Sequence, residues 1–419
     1  MATIGLAPQQ HTLSNGMKVV FEHLPYVHSV SVGVWIKTGS ANETPEIAGI
    51  SHFLEHMFFK GTQSRTTREI MESIESKGGH LNAFTSREYT CLYVKALDQH
   101  VDTAIEILAD IVNNSTFGDL EKERNVILEE IASGIDVPDD YVHDLLSDKF
   151  WPNHSMGRPI AGYHDTVSST ELEHIQAYKD AWYCPENMLV AVVGNFDSEL
   201  LIKRIANGFE GIPNIQSPEG YTVPDLGSGV LIEPRDIAQN HLTLGFPGTS
   251  ITQDNRYAYD MLSSTLGGGS TSRLFESIRE EAGLAYSIYS YNSAHENTGM
   301  MGMYAAIAPE NLQQTLDLIS KEIKELQDTP ISDAELESNR EQLKGGLLLA
   351  LENTFNRMAR MARSLMFFDE IKSIDDILEG INLVQANDIQ SLAQQTFKTD
   401  NHVMAVLGPA VISKPSMSL

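Results

Sequence analysis

The sequence predicts an α+β protein of two structurally similar domains, each a mixed or antiparallel sheet with helices packed on it. Three observations lead there. The chain has 419 residues, too many for one ordinary core and about right for two domains of roughly 200 each. Val30, Val32, Val34 and Ile36 alternate with other residues at the period of a strand. The order of segments then recurs: Asn240–Phe246 sets against Val30–Ile36, and His402–Gly408 against Met188–Gly194, both at offsets of about 210 residues.

The elements follow in order. Lys18–Phe21 reads as a strand and Val30–Ile36 as a half-buried one. A turn at Gly39-Ser40-Ala41-Asn42 leads into a helix from about Ile47 to Phe59, stopped near Gly61. A second helix, about Arg68–Ser76, ends at Gly78-Gly79, and strands follow around His80–Thr85 and Thr90–Lys95. Helices are expected at about Gln99–Asn113 and Leu120–Ile135, and the half closes with a strand at Leu189–Val193 and a helix to Phe209. Residues 211–229 are rich in Pro, Gly and Ser, so the expected division is a domain over 1–212, a linker over 213–229 and a second domain over 230–419. Where the first long helix should recur, the second half reads Asp260-Met261-Leu262-Ser263-Ser264-Thr265-Leu266, which carries no set of metal ligands.

A net charge of −28 argues against non-specific binding to nucleic acid or to an anionic membrane. It suits basic substrates, or serves solubility alone. No apolar run is long enough to span a bilayer. Met1–Pro8 shows neither a basic stretch followed by an apolar one nor an Arg-rich transit pattern. Cys91 and Cys184 are far apart and lack partners at zinc-finger spacing, which suits two buried thiols in a reducing compartment. A bacterial-type cytoplasmic location is the expectation.

The chemistry concentrates at His52-Phe53-Leu54-Glu55-His56. His52 and His56 are four apart, which puts both imidazoles on one helix face. Glu55 can stand beside a metal held by that pair. This is the H-x-x-E-H order of inverted zinc peptidases, although a histidine pair on a metal-free helix satisfies the same spacing. Imidazole and carboxylate are zinc ligands, and a catalytic zinc site keeps one position open for water. A third ligand is required. The helix at Glu121–Ile131 offers Glu123 and Glu130, seven apart and nearly superposed at the border of its buried side, while Glu129 points away.

His52-Phe53-Leu54-Glu55-His56-Met57-Phe58-Phe59-Lys60-Gly61-Thr62, followed by Glu123-Arg124-Asn125-Val126-Ile127-Leu128-Glu129-Glu130, resembles the M16 metallopeptidases over nearly the whole chain. Within them it is most similar to bacterial processing proteases and to the β subunit of the mitochondrial processing peptidase. The resemblance implies that His52, His56 and Glu130 hold one Zn2+ per chain, with Glu123 supporting the site from behind. Hydrolysis by zinc-bound water is then expected, with Glu55 as general base. It implies further that Asn82, Ala83, Phe84 and Thr85 lie on an edge strand that receives extended substrate, with His80 a bystander. Arg279 and Tyr286 take the places of residues that reach the zinc site from the other half of the assembly and stabilise an oxyanion. The Gly-rich loop at Leu266–Phe275 lacks the Lys-Ser/Thr of a phosphate cradle. Short chains of this kind pair to close a chamber, so a homodimer is expected, or a heterodimer with a related subunit. A subunit that only presents peptides is the competing class; His52, Glu55, His56 and Glu130 are all present, which argues against it.

Overall fold

The computed structural model describes residues 7–398, 400–409 and 415–419. Most of the N-terminal stretch inspected for a leader lies outside them. Six strands form the first sheet: β1 (Gln9–Thr12), β2 (Lys18–His23), β3 (Ser29–Ile36), β4 (His80–Thr85), β5 (Thr90–Leu97) and β6 (Met188–Gly194). Their order is β1-β2-β6-β3-β5-β4, with β2 and β6 parallel and the other neighbours antiparallel. Five form the second: β7 (Gly229–Pro234), β8 (Asn240–Pro247), β9 (Ala285–Ala294), β10 (Gly299–Ile307) and β11 (Val403–Gly408). Its order is β7-β11-β8-β10-β9, with β7 and β11 parallel. Leaving β1 aside, both sheets run first-fifth-second-fourth-third in chain order, with the parallel pair in the same place. The faint repeat in the sequence is therefore a repeat of topology, and β8 and β11 stand where β3 and β6 do.

The compact units differ from the contiguous halves expected. One comprises Met1–Ala132, Pro159–Tyr221 and Leu349–Lys372, the other Ser133–Arg158, Thr222–Leu348 and Ser373–Leu419. The chain does cross between them at 221/222, inside the expected linker, but each half also gives a helix to the other unit. Helix Pro138–Phe150 buries Val142, Leu146 and Phe150 against β8 and β11. Helix Thr354–Phe368 buries Met358, Met361, Ala362 and Leu365 against β2, β3 and β6.

This exchange also changes the reading of β3, which is buried on both faces and not half-buried. Val30, Val32, Val34 and Ile36 face the helices of their own half, as alternation requires. Trp35 faces helix Thr354–Phe368, and a Cβ at Gly33 would stand 2.9 Å from the Met358 side chain. Arg357 on that helix pairs with buried Glu22 of β2, whose carboxyl is pushed up by burial and only partly restored by Arg357 and Arg360. No helix among the described residues is long and apolar enough to cross a membrane.

Candidate metal centre

Helix Ile50–Phe58 carries the H-x-x-E-H segment. Ile50, Phe53, Leu54, Met57 and Phe58 are buried in the core of the first unit, and this leaves His52, Glu55 and His56 on the partly open side. Its start is pinned from outside the helix. The buried Glu43 carboxylate accepts the Gly49 N–H at 2.7 Å and the Ser51 N–H at 2.8 Å, two of the donors that a helix N-terminus leaves unpaired. Ser51 Oγ lies 2.8 Å from Tyr178 Oη, which lies 2.7 Å from Thr38 Oγ1. Gly49 has φ 95°, and a Cβ there would come within 2.5 Å of the Ala161 carbonyl oxygen, so this approach requires glycine.

The second helix, Leu120–Asp136, is anchored by Arg124, buried beside Glu123. Its Nη1 donates to the carbonyls of Val167, Ser168 and Thr170, and its guanidinium lies 5.8 Å from the Phe53 ring. Glu123 accepts a hydrogen bond from His56 Nδ1 at 2.8 Å. One turn pair further on, Glu130 presents Oε1 3.5 Å from His52 Nε2 and Oε2 3.5 Å from His56 Nε2. One ligand atom from each of His52, His56 and Glu130 lies within 4.8 Å of the others. Among the described residues no other group of three His, Cys, Asp or Glu side chains converges in this way.

These residues fit a tetrahedral cation. Ligand bonds of about 2.1 Å at tetrahedral angles put neighbouring ligand atoms roughly 3.4 Å apart, close to the spacing between Glu130 and each ring. His52 is shifted down to about 4, by burial first and by His56 second, so its ring is neutral, the form that ligates. His56 donates its Nδ1 proton to a carboxylate and so turns Nε2 to the site, the usual arrangement behind a metal-bound histidine. Glu130 is half exposed, which leaves one side open to solvent.

Glu55 stands beside this group. Burial raises its carboxyl above the ordinary value, against the lowering effects of a hydrogen bond from Thr85 and the His56 ring, and Glu130 raises it further. Thr85 Oγ1 donates to Glu55 Oε2 at 2.6 Å. Thr85, expected on the substrate strand, thus also holds the Glu55 carboxylate. β4 is the terminal strand of its sheet, with His80 and Asn82 on its exposed face and Leu81 and Ala83 buried. Asn82 Oδ1 accepts from the Ala83 N–H at 2.8 Å.

A scan against protein families matches residues 18–163 to the model described as Insulinase (Peptidase family M16). Residues 169–343 match the one described as Peptidase M16 inactive domain. The chain belongs to peptidase family M16. It is 41% identical to the uncharacterized zinc protease YmxG of Bacillus subtilis over 404 residues, covering 96% of this chain and 98% of that protein. Its fold is similar to that of a protease from Helicobacter pylori, with a TM-score of 0.89 at 24% identity, covering 96% of this chain and 99% of that one. It is also similar to a peptidase M16 inactive domain from Pseudomonas fluorescens, with a TM-score of 0.91 at 18% identity, covering 98% and 100%.

Arg279 and Tyr286 lie in the second unit, near the start of β9. Arg279 is placed by a π-helical turn, Phe275–Glu281, an irregularity that often marks functional segments. Its guanidinium lies 4.6 Å from the Phe275 ring centre and 5.0 Å from that of Tyr286, and its Nη1 donates to the Tyr286 carbonyl at 2.7 Å. The Tyr286 side chain is 80% exposed. In the M16 repeat of this unit, Ser264 of helix Arg256–Gly267 bonds Asn339 and Gln342 of helix Asp333–Ala350. Hydroxyl and amide groups join this helix pair, and no set of metal ligands converges there among the described residues.

Exchange of Glu130 for Gln should lower metal retention by at least tenfold, while Glu129→Gln, one residue earlier and turned off the converging face of the helix, should leave it within about twofold. Metal content after gel filtration, measured side by side for the two variants, checks the register. Loss of metal from Glu129→Gln with retention in Glu130→Gln would refute it.

Proposed function

We propose that this M16 zinc protease is an endopeptidase acting on unfolded peptides or presequence-like segments inside a closed chamber, with Glu55 as general base. The observation that carries the reading is the convergence of His52, His56 and Glu130 beside a partly buried carboxylate, Glu55, that is held by a separate hydrogen bond. His52, His56 and Glu130 would hold one Zn2+ per chain. Zinc, when bound, supplies a Lewis acid that lowers the pKa of water and polarises a carbonyl.

The chain's own residues account for the remaining steps. Glu55 accepts the proton of the attacking water and returns a proton to the leaving amine. Thr85 fixes one carboxylate oxygen and leaves the other for that exchange. β4 ends its sheet, and apart from the Ala83 N–H, which donates to Asn82 Oδ1, its outer edge can offer backbone groups over Asn82–Thr85, so that an extended peptide adds as a further strand and is held by its backbone. Binding of this kind requires an unfolded segment and reads few side chains. Arg279 and Tyr286, one stacked between two rings and the other projecting into solvent, form a preorganised cation and phenol suited to the oxyanion of a tetrahedral intermediate. The reading places the chain in the cytoplasm. Cys91 and Cys184 are buried and not disulfide-bonded, as a reducing compartment allows.

Glu55→Gln is expected to bind zinc as the natural chain does and to lose at least a thousandfold in kcat, since the amide keeps the shape and cannot take the proton. Metal analysis and peptide turnover on the same preparation decide this; an active variant removes Glu55 as base.

The net charge of −28 supports a preference for basic peptides. kcat/KM for matched basic and acidic peptides should favour the basic one at low salt, and the ratio should fall as salt rises. Equal values at both ionic strengths would leave the acidity as a solubility feature.

Among the described residues the second unit carries Arg279 and Tyr286 but no converging set of metal ligands, which supports assembly of the chamber from two chains. In a two-fold homodimer each zinc site receives Arg279 and Tyr286 from the partner. Mixing inactive Glu55→Gln chains with inactive Arg279→Ala chains should then restore about a quarter of wild-type activity once subunits exchange, because half the dimers are mixed and each has one intact site of two. No rescue despite verified exchange would place the complete site within one chain or with a different, related subunit.

A further inference from the structure

Lys60 follows the end of helix Ile50–Phe58, where its own N–H donates to the Met57 carbonyl at 3.1 Å. Its ammonium lies 2.5 Å from Glu123 Oε2. The other oxygen of that carboxylate, Oε1, accepts from His56 Nδ1 at 2.8 Å. The Glu123 side chain is only 5% exposed, so a carboxylate almost removed from water is shared between two donors, one on each oxygen. Such a group is tolerable in a protein interior only when it is paired and its lone pairs are used. The far nitrogen of the same imidazole, Nε2, is the atom 3.5 Å from Glu130 Oε2. Ammonium, carboxylate and imidazole therefore form one chain of contacts that ends on the metal-facing nitrogen.

The two histidines differ in this respect. His52 Nδ1 is buried and has no hydrogen-bond partner among the described residues. The hydrogen bond on the far side of the ring pair, away from Glu130, is the one from His56 Nδ1 to Glu123, and Glu123 is oriented by Lys60. We propose that Lys60 is a positioning residue of the metal centre, which fixes Glu123 so that His56 turns Nε2 toward the ligand site. This rests on the reading of His56 as a zinc ligand. Without the ammonium the carboxylate loses this cationic contact and can swing away from His56, whose ring is then free to rotate. Arg124, the neighbouring cation, is occupied elsewhere, with Glu121 and three backbone carbonyls.

Zinc affinity of the full chain, measured by competition with a chromophoric chelator, tests this without recourse to activity. Lys60→Met should weaken zinc binding by about 10- to 100-fold, the range for loss of a group supporting a ligand. Lys60→Arg, which keeps the cation, should stay within about threefold of the natural chain. In a Glu123→Gln background the Lys60→Met change should cost less than about twofold, because its partner is already gone. If Lys60→Met does not fold, judged by thermal melting of the metal-free protein, Lys60→Gln carries the same comparison. His56→Ala serves as the reference: if it binds zinc as tightly as the natural chain, the ligand reading itself fails. If His56→Ala loses zinc but the Lys60 variants bind within twofold of the natural chain, only the role of Lys60 is overturned. The same follows if the Lys60 effect persists undiminished with Glu123→Gln.

Discussion

Two separate helices bring His52, His56 and Glu130 within a few ångströms of one another, and the partly buried hydrogen bond from His56 Nδ1 to Glu123 Oε1 is the contact that ties the helices there. Glu123 and Glu130 are two turns apart on one helix, so fixing Glu123 behind His56 also fixes where Glu130 arrives in front of it. The carboxylate bonded to His56 and the carboxylate that faces both rings thus belong to a single rigid unit. Much of the first unit serves this registration. Glu43 holds the start of the histidine helix by two backbone N–H groups, and Arg124 ties the glutamate helix to three carbonyls of the chain that follows it. Buried apolar residues of the same helix, Phe53, Leu54 and Met57, seat the opposite face in the core.

The sheet contributes by topology. Because β4 is terminal, its edge is open while Thr85 near its end reaches Glu55. An outer backbone edge and the side chain that holds the Glu55 carboxylate thus lie on one strand, so the position of that edge and the position of the carboxylate are linked. The repeat shows the same scaffold without the chemistry: an equal strand order supports a helix pair joined by Ser264, Asn339 and Gln342. The architecture is stable with or without ligands, and the side chains decide what it does.

The sequence made some of this legible for clear reasons. A four-residue histidine spacing has one helical meaning, and strict alternation in Val30–Ile36 marks a strand. Glu130 was not separable from Glu123 by helical periodicity, since residues seven apart share a face; family register distinguished them. The exchange of helices Pro138–Phe150 and Thr354–Phe368 was illegible because an amphipathic pattern states that a face is buried and not which sheet buries it. The same ignorance made β3 read as half-buried when its second face is covered by a segment more than 300 residues away, where Ser31 Oγ meets Thr354 Oγ1. Glu43 and the Thr85–Glu55 bond left no signal, being long-range contacts of ordinary residues. Lys60 lies just past the end of the histidine helix, where its four-residue spacing from His56 was the one available cue.

The central claim is that one zinc ion sits between His52, His56 and Glu130, and diffraction from crystals of the zinc-loaded chain, recorded on both sides of the zinc absorption edge, tests it most directly. The account expects a single anomalous peak per chain, about 2.0–2.2 Å from His52 Nε2, His56 Nε2 and a Glu130 carboxylate oxygen. A peak coordinated by Glu123 in place of Glu130, or one away from both histidines, would contradict it.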